Sequence, residues 1–314
     1  MALSAPSAVN AQALSKKANR NRKEQGIGIF LLIMTGISVL TTIGVILALT
    51  SETVLFFASP EVTFREFFTG TEWTPLFAEA QRSFGILPLL AGTFLITAIA
   101  LLVGVPLGLG AAIFLSEFAT KQVRRLIMPI LEILAGIPTI VLGYFALLTV
   151  TPFLRSFLPA VETSNALSAG LVMGFMLLPT VSSISIDAMQ AVPRSLREAA
   201  FGLGSTKGEV TLRVVLPAAF SGIMASVILA MSRAVGETMI VTLAAGQKPN
   251  LTINPFETVE TMTAFIANTA QGDQEAGSIG SLALYAVGTM LFLITLFLNI
   301  LSQDIVRRFS EKYE

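Results

Sequence analysis

The sequence predicts an all-α protein that crosses a lipid bilayer six times, and three observations lead there. Six apolar runs, at about 28–50, 87–115, 126–150, 166–186, 218–245 and 279–301, have the length of ~20 residues or more that spans the hydrocarbon core as helix. The composition is 54% hydrophobic and only 13% charged, and the mean hydropathy is +0.77; a soluble domain carries roughly twice that charged fraction. Lys and Arg are also distributed unevenly among the segments between the runs, as a protein with two distinct sides requires.

Taken in order, residues 1–26 are small and polar, with Lys16, Lys17, Arg20, Arg22 and Lys23 just ahead of the first run. A signal peptide also begins with a basic segment, but the run over 28–50 is too long and no small-x-small cleavage site follows it. The expectation is therefore a disordered tail over 1–26 and a membrane domain over 27–314 that starts with a retained span. Residues 51–86 form a polar and aromatic loop around Gly70-Thr71-Glu72-Trp73-Thr74-Pro75, where Trp73 suits interfacial packing. The second run carries Gly92, Gly104, Pro106, Gly108 and Gly110, which permit close helix approach and kinks. The third follows a short basic segment at 121–125, contains Glu132, and is interrupted by Gly136-Ile137-Pro138. Pro179 lies in the fourth. A polar segment over 187–217 comes next, with Pro193 placed where a helix can begin. The fifth run holds Arg233 and Glu237, a loop covers 246–278, and the sixth run leads to Arg307, Arg308 and Lys312.

Charge orients these elements. The N-terminal segment, 116–125, 187–217 and the C-terminal tail together hold fifteen of the twenty Lys and Arg residues. The opposite loops hold Arg65, Arg82, Arg155 and Lys248, and Arg233 lies within a run. By the positive-inside rule both termini and the 187–217 segment are cytoplasmic. With no Cys and no His in the chain, disulfides, thiol nucleophiles, Cys or His metal sites and a Ser-His-Asp triad are excluded. A formal net charge of zero gives no general attraction to nucleic acid.

The 187–217 segment carries the most specific pattern: Glu198-Ala199-Ala200, then Gly204 after three residues, then Val-x-Leu-Pro at 214–217 after nine more. This resembles the coupling loop of ABC-importer permeases, with Val for the more usual Ile. Gly136-Ile137-Pro138-Thr139-Ile140-Val141-Leu142-Gly143 and Ser232-Arg233-Ala234-Val235-Gly236-Glu237-Thr238-Met239 are similar to segments of the phosphate-specific ABC permeases. The Gly-Thr-Glu-Trp-x-Pro of residues 70–75 and the Glu-Thr-Met of 237–239 resemble the PstC type of that family. The likeness extends over nearly the whole chain from the first span onward. It implies a type I ABC-importer permease fold, a paralogous PstA-type permease beside it, two copies of a PstB-type ATPase beneath and an external phosphate-binding protein above. It also implies a bacterial cytoplasmic membrane. ATP and Mg would be bound by the partner ATPase and no cofactor by this chain, where Gly204-Ser205-Thr206-Lys207-Gly208 lacks the spacing of a phosphate-binding loop.

Two groups of site residues follow. Arg233 and Glu237 are charges within an apolar run, where such groups cost ~2.5–3.5 kcal/mol and face a bundle interior or a water-filled path. Spaced i, i+4, they would share a helix face. One reading has the Arg233 guanidinium attracting a phosphate group while Glu237 holds it; the other has an internal ion pair that pins the fifth span. Thr238 and Thr242 on or near that face suit a pathway or, more simply, interhelical hydrogen bonding. Arg197, Glu198, Ala199, Ala200 and Gly204 would form the ATPase contact, small Ala residues letting a short helix sit deep in a groove. Glu132 suits bonding near the interface. The open alternatives are a permease for sulfate or phosphonate, an ion-coupled secondary transporter, against which the absence of an internal repeat argues, and a membrane sensor scaffold.

Overall fold

A backbone in hydrocarbon must satisfy its own N–H and C=O groups, so apolar runs of this length become helices. The computed structural model describes residues 8–272, 274–275 and 277–309. Among them the one strand-like feature is an isolated bridge between Trp73 and Phe84. The helices in chain order are α1 (Ala8–Ala58), α2 (Phe64–Thr69), α3 (Leu87–Ile113, prolonged by a π-helical turn Phe114–Phe118), α4 (Lys121–Gly136), α5 (Thr139–Phe145), α6 (Thr151–Phe157), α7 (Ala166–Gln190), α8 (Arg194–Gly202), α9 (Lys207–Val210), α10 (Leu216–Ala218), α11 (Phe220–Val235), α12 (Met239–Ala244), α13 (Met262–Gln271) and α14 (Ile279–Phe309). Among the described residues, five helical stretches are long and apolar enough to cross a membrane, six when the bent pair Lys207–Ala218 and Phe220–Val235 is counted as one span.

The chain divides into two units, 1–52 and 53–314. The first is most of α1, whose apolar side chains from Ile27 to Leu47 are largely uncovered. Of the tail expected over 1–26, residues 1–7 lie outside the described residues. From Ala8 onward the segment is helical and runs without a break into the span, which its Ala, Gln, Lys and Arg content favours.

Two expected spans are divided differently in the second unit. The run over 126–150 is not one helix: α4 is basic at its start and falls short of a span, and the apolar helix is Thr139–Phe157. Ile137 is extended (φ −68°, ψ 126°) because a residue preceding proline is pushed out of the helical region, and Pro138 then starts the next helix. The run over 218–245 is broken twice. The chain turns by 69° at Ala219, and α11 stops at Val235, with three residues, 236–238, between it and α12.

Packing in the second unit is layered along α3. Ile86 and Leu89 at its start join an aromatic cluster of Phe56, Phe67, Trp73, Phe84 and Phe265. In the middle, Ile96 and Ala100 pack with Met173, Leu177 and Val181 of α7, Ala230 and Ala234 of α11, and Ile240 and Val241 of α12. At its end, Ala112 and Leu115 meet Ile186, Met189, Val210 and Val215. Glycine makes the central layer possible. A Cβ on Gly104 would come 2.8 Å from the Gly174 carbonyl oxygen, and one on Gly174 would come 3.0 Å from the Ala100 carbonyl oxygen and 2.9 Å from Val103 Cβ. The two backbones therefore approach as small-residue membrane interfaces do. Ser182 Oγ donates to the Gly108 carbonyl (3.0 Å), and the Ser185 and Ser226 hydroxyls share a hydrogen bond (3.0 Å), closing the polar groups between α3, α7 and α11.

Gly174→Val is expected to lower stability by about 1–3 kcal/mol through overpacking. Gly110→Val, on the same α3 but with open space at its Cβ, serves as the control. Thermal unfolding of both variants in detergent checks this; an equal midpoint for the two would contradict it.

Candidate functional site

The motif segment folds as α8 because Pro193 fixes the entry and the following Arg-Ser-Leu-Arg-Glu-Ala-Ala residues are mostly good helix formers. It ends where the sequence places Gly204. That residue has φ +84°, the Gly204 N–H donates to the Phe201 carbonyl (2.9 Å) and the Ser205 N–H donates to the Ala200 carbonyl (3.2 Å). This pair of bonds requires a left-handed residue after the helix, a conformation that glycine takes without steric penalty. One face of α8 turns inward, with Leu196 and Ala200 against the cluster at the end of α3. The other presents Glu198, Ala199, Phe201 and Leu203, and Leu203 is 88% exposed.

Arg197, expected at the ATPase contact, makes its bonds inside the chain. Its Nη1 donates to Glu117 Oε2 at 2.6 Å and its Nη2 to the Met189 carbonyl at 2.7 Å, so its guanidinium is occupied within the chain. Glu117 belongs to the π-helical turn at the end of α3 and Met189 to the end of α7. Arg197 thus fastens α8 to both helices. Lys207 Nζ stands 5.4 Å from the Phe118 ring centre, and Thr206 and Glu209 cap α9 reciprocally, which ties the chain after Gly204 to the same turn.

The second group of residues lies at the break between α11 and α12. Arg233, on the last turn of α11, is exposed and donates from Nη1 to Thr180 Oγ1 of α7 at 3.1 Å. Glu237 does not hold it, contrary to the i, i+4 expectation. The helix has ended, and Glu237 Oε1 accepts from the Met239 N–H (3.1 Å) and the Ile240 N–H (3.3 Å), capping α12. Ion pairs join Arg82 to Glu61 and Arg197 to Glu117, whereas Arg233 has no carboxylate partner among the described residues. Thr238 precedes α12, and its carbonyl accepts from the Thr242 hydroxyl (2.7 Å). Thr242 also lines an open cavity of about 840 Å³ with Arg155, Thr163, Ser164, Gln247 and Thr258. Glu162 in that wall accepts from the Thr258 hydroxyl (2.6 Å) and N–H (2.8 Å), which hold its carboxyl below the usual carboxylate range. The structure therefore joins Glu237, Thr238 and Thr242 at one helix start, and sets Arg233 apart from them on α11.

These two features can be compared with known proteins. The family described as binding-protein-dependent transport system inner membrane component matches residues 104–311, which include α8 and the α11–α12 break. The phosphate transport system permease protein PstC of Mesorhizobium japonicum is 36% identical over 265 residues, 78% of this chain and 79% of that one. The chain belongs to this permease family. PstC of Haemophilus influenzae is 32% identical over 264 residues, covering 78% of this permease and 82% of that protein. A probable ABC transporter permease protein of Bacillus subtilis, YqgH, is 36% identical over 236 residues, 75% of each chain. Among solved structures, a bacterial alginate ABC transporter in complex with an alginate-bound periplasmic protein superposes with TM-score 0.65 at 16% identity, over 93% of this permease and 98% of that chain. The MetNI methionine ABC transporter gives 0.56 at 18% identity, over 72% and 95%. At such identities these structures establish the fold alone.

Several residues of the permease that sequence reasoning passed over now stand out. Glu117, which holds Arg197, was visible only as a lone acid beside a basic segment. Phe201 and Leu203, exposed on α8, carried no periodic signal. Glu260 lies between α12 and α13, outside the candidate spans, and is 5% exposed. Burial lifts its carboxyl from the ordinary 4.5 to about 7, with the nearby Asn268 amide pulling in the opposite direction. The folded chain accordingly retains a proton that the unfolded chain loses above about pH 4.5. Stability from this group is full below that pH, declines as pH rises through about 7 and is absent above it. Glu260→Gln should remove this slope, so that the variant gains thermal midpoint relative to wild type between about pH 5 and pH 8. Parallel pH profiles for the two proteins would contradict the assignment.

Proposed function

We propose that this permease is the PstC-type half of an ATP-driven phosphate importer of the bacterial cytoplasmic membrane, with both termini in the cytoplasm. The observation that carries the reading is Arg233: an exposed guanidinium on an apolar helix, with a threonine hydroxyl as its partner and no carboxylate among the described residues. A cation left unpaired in a span faces water or a partner chain rather than lipid, and a guanidinium offers paired donors that match two phosphate oxygens. Similarity to PstC proteins of several bacteria supports phosphate as the substrate.

In this proposal a PstA-type permease completes the pathway beside Arg233 and an external phosphate-binding protein delivers substrate. Two PstB-type ATPases, which bind the ATP and Mg, sit beneath the two permeases, and one of them docks on the exposed face of α8. Glu198, Ala199, Phe201 and Leu203 make that contact, and Ala200 and Gly204 shape it. Arg197 transmits movement of α8 to Glu117 on α3 and to the end of α7. ATP binding and hydrolysis then favour different orientations of the spans, because the docked ATPase holds α8 differently in the two states. Thr238 and Thr242 contribute hydroxyls along the route.

The test is ATP hydrolysis and uptake by the complex purified through this subunit and reconstituted in liposomes with its external binding protein. Phosphate, sulfate and a phosphonate are compared, with a proton gradient as a separate arm. Stimulation by phosphate alone is expected; stimulation by sulfate or the phosphonate changes the substrate, and uptake driven by the proton gradient without a co-purified ATPase overturns the class. Loss of the charged contact in Arg233→Ala should reduce uptake by about 10–100-fold in a complex that still assembles. Full transport by that variant would remove Arg233 from the pathway. Gly204→Glu places a charged side chain on a left-handed residue at the end of α8 and is expected to leave the subunit in the membrane while releasing or uncoupling the ATPase; unchanged co-purification and uptake would argue against α8 as the docking element.

A further inference from the structure

Among the described residues, buried Trp73 Nε1 and Thr269 Oγ1 lack a hydrogen-bond partner, and buried Asn268 Nδ2 has only a loose approach to the Glu260 carboxyl. All three belong to residues that line one cavity of about 550 Å³, between the 71–77 and 247–251 segments and α13. Buried polar groups left unpaired are rare in native proteins and cost ~1–3 kcal/mol each, so their grouping around a single cavity calls for something to fill it. The groups are also held in place. Trp73 and Thr269 are 2% and 3% exposed. The Trp73 ring is fixed edge-to-face against Phe265 at 5.2 Å and Phe67 at 6.2 Å.

The chemistry of the lining narrows the ligand. An indole N–H, an amide NH₂, a threonine hydroxyl and the ammonium of Lys248 supply donors, which suit a compact anion with several acceptor oxygens. Glu72, and Glu260 once it ionises above about pH 7, oppose a fully deprotonated anion from the same wall. A carboxylate among donors instead accepts the hydroxyl of an oxyanion that still carries a proton. Inorganic phosphate keeps such a P–OH near neutral pH, and sulfate does not.

We propose that this cavity is a second oxyanion site, separate from Arg233, that takes protonated inorganic phosphate, with Trp73, Asn268 and Thr269 donating to its oxygens and Glu260 accepting its hydroxyl. Its relevance to transport, as a waiting position on the outer side, rests on the importer reading above. The site also gives the Gly-Thr-Glu-Trp-x-Pro segment a task beyond packing.

Trp73 is the single tryptophan of the chain, so the full-length protein in detergent reports on its own cavity. Titration with inorganic phosphate should shift Trp73 fluorescence saturably, sulfate should not, and the response should persist in Arg233→Ala. Thr269→Val is expected to weaken phosphate binding about tenfold, the loss that follows removal of one hydrogen bond to a charged group. Glu260→Gln should admit sulfate. No phosphate response in wild type, an equal response to sulfate, or unchanged phosphate affinity in Thr269→Val would each overturn the site. The two readings fail separately: phosphate-driven uptake without a Trp73 response refutes only the cavity, and a phosphate-specific response in a complex whose ATPase ignores phosphate refutes only the importer.

Discussion

Much of the second unit depends on how the chain satisfies a broken backbone between α11 and α12. Helices in lipid close their own hydrogen bonds, and a break exposes several groups at once. Here Glu237 folds back on the Met239 and Ile240 N–H groups, and the Glu237 carbonyl accepts the Thr263 hydroxyl at 2.7 Å. Thr263 shares a hydrogen bond with Thr261 (3.0 Å), which caps α13, and the Met262 N–H reaches Thr93 of α3 at 3.1 Å. One polar knot therefore joins the break, the start of α13 and the beginning of α3. With Glu237 committed to this knot, Arg233 is left with a threonine and an open face.

At the other end of α3 a second polar contact has a comparable position. The Arg197–Glu117 pair is largely buried, with side chains 21% and 7% exposed. Pairs of this kind add little net stability, since desolvation offsets the attraction, but breaking one leaves an uncompensated charge. Their value lies in fixing geometry. Because Arg197 also reaches the Met189 carbonyl, α8 cannot shift without loading both α3 and α7, the pair whose glycine-to-glycine crossing forms the centre of the unit. Contacts inside the chain thus lead from α8 to α3 and α7, and from α7 to Arg233 on α11.

The comparison of sequence and structure is instructive residue by residue. Gly204 was legible because the left-handed turn after a helix admits glycine preferentially, and its spacing from Glu198-Ala199-Ala200 placed that turn. The spans were legible because bilayer thickness sets their length. The boundary at Pro138 and the break at Gly236 were less so: hydropathy reads through a broken helix as readily as through a whole one. The bonds that Arg197 makes inside the chain were not legible, because a motif lists residues without saying which way they face. Glu237 looked like a partner for Arg233 because i, i+4 spacing has that meaning only while the helix continues.

By itself the sequence determined the helical class, the approximate number of spans, the helix and glycine turn of α8, and the positions of the charges within the apolar runs. These follow from length, composition and local spacing, which a linear chain carries explicitly. Tertiary structure alone decided which charges are spent inside the chain and which remain available. Arg197 finds Glu117 eighty residues away, and Trp73 meets Asn268 and Thr269 around one cavity from opposite parts of the chain. Such pairings depend on the close crossing of α3 and α7 and on where the backbone breaks, and no local pattern records them.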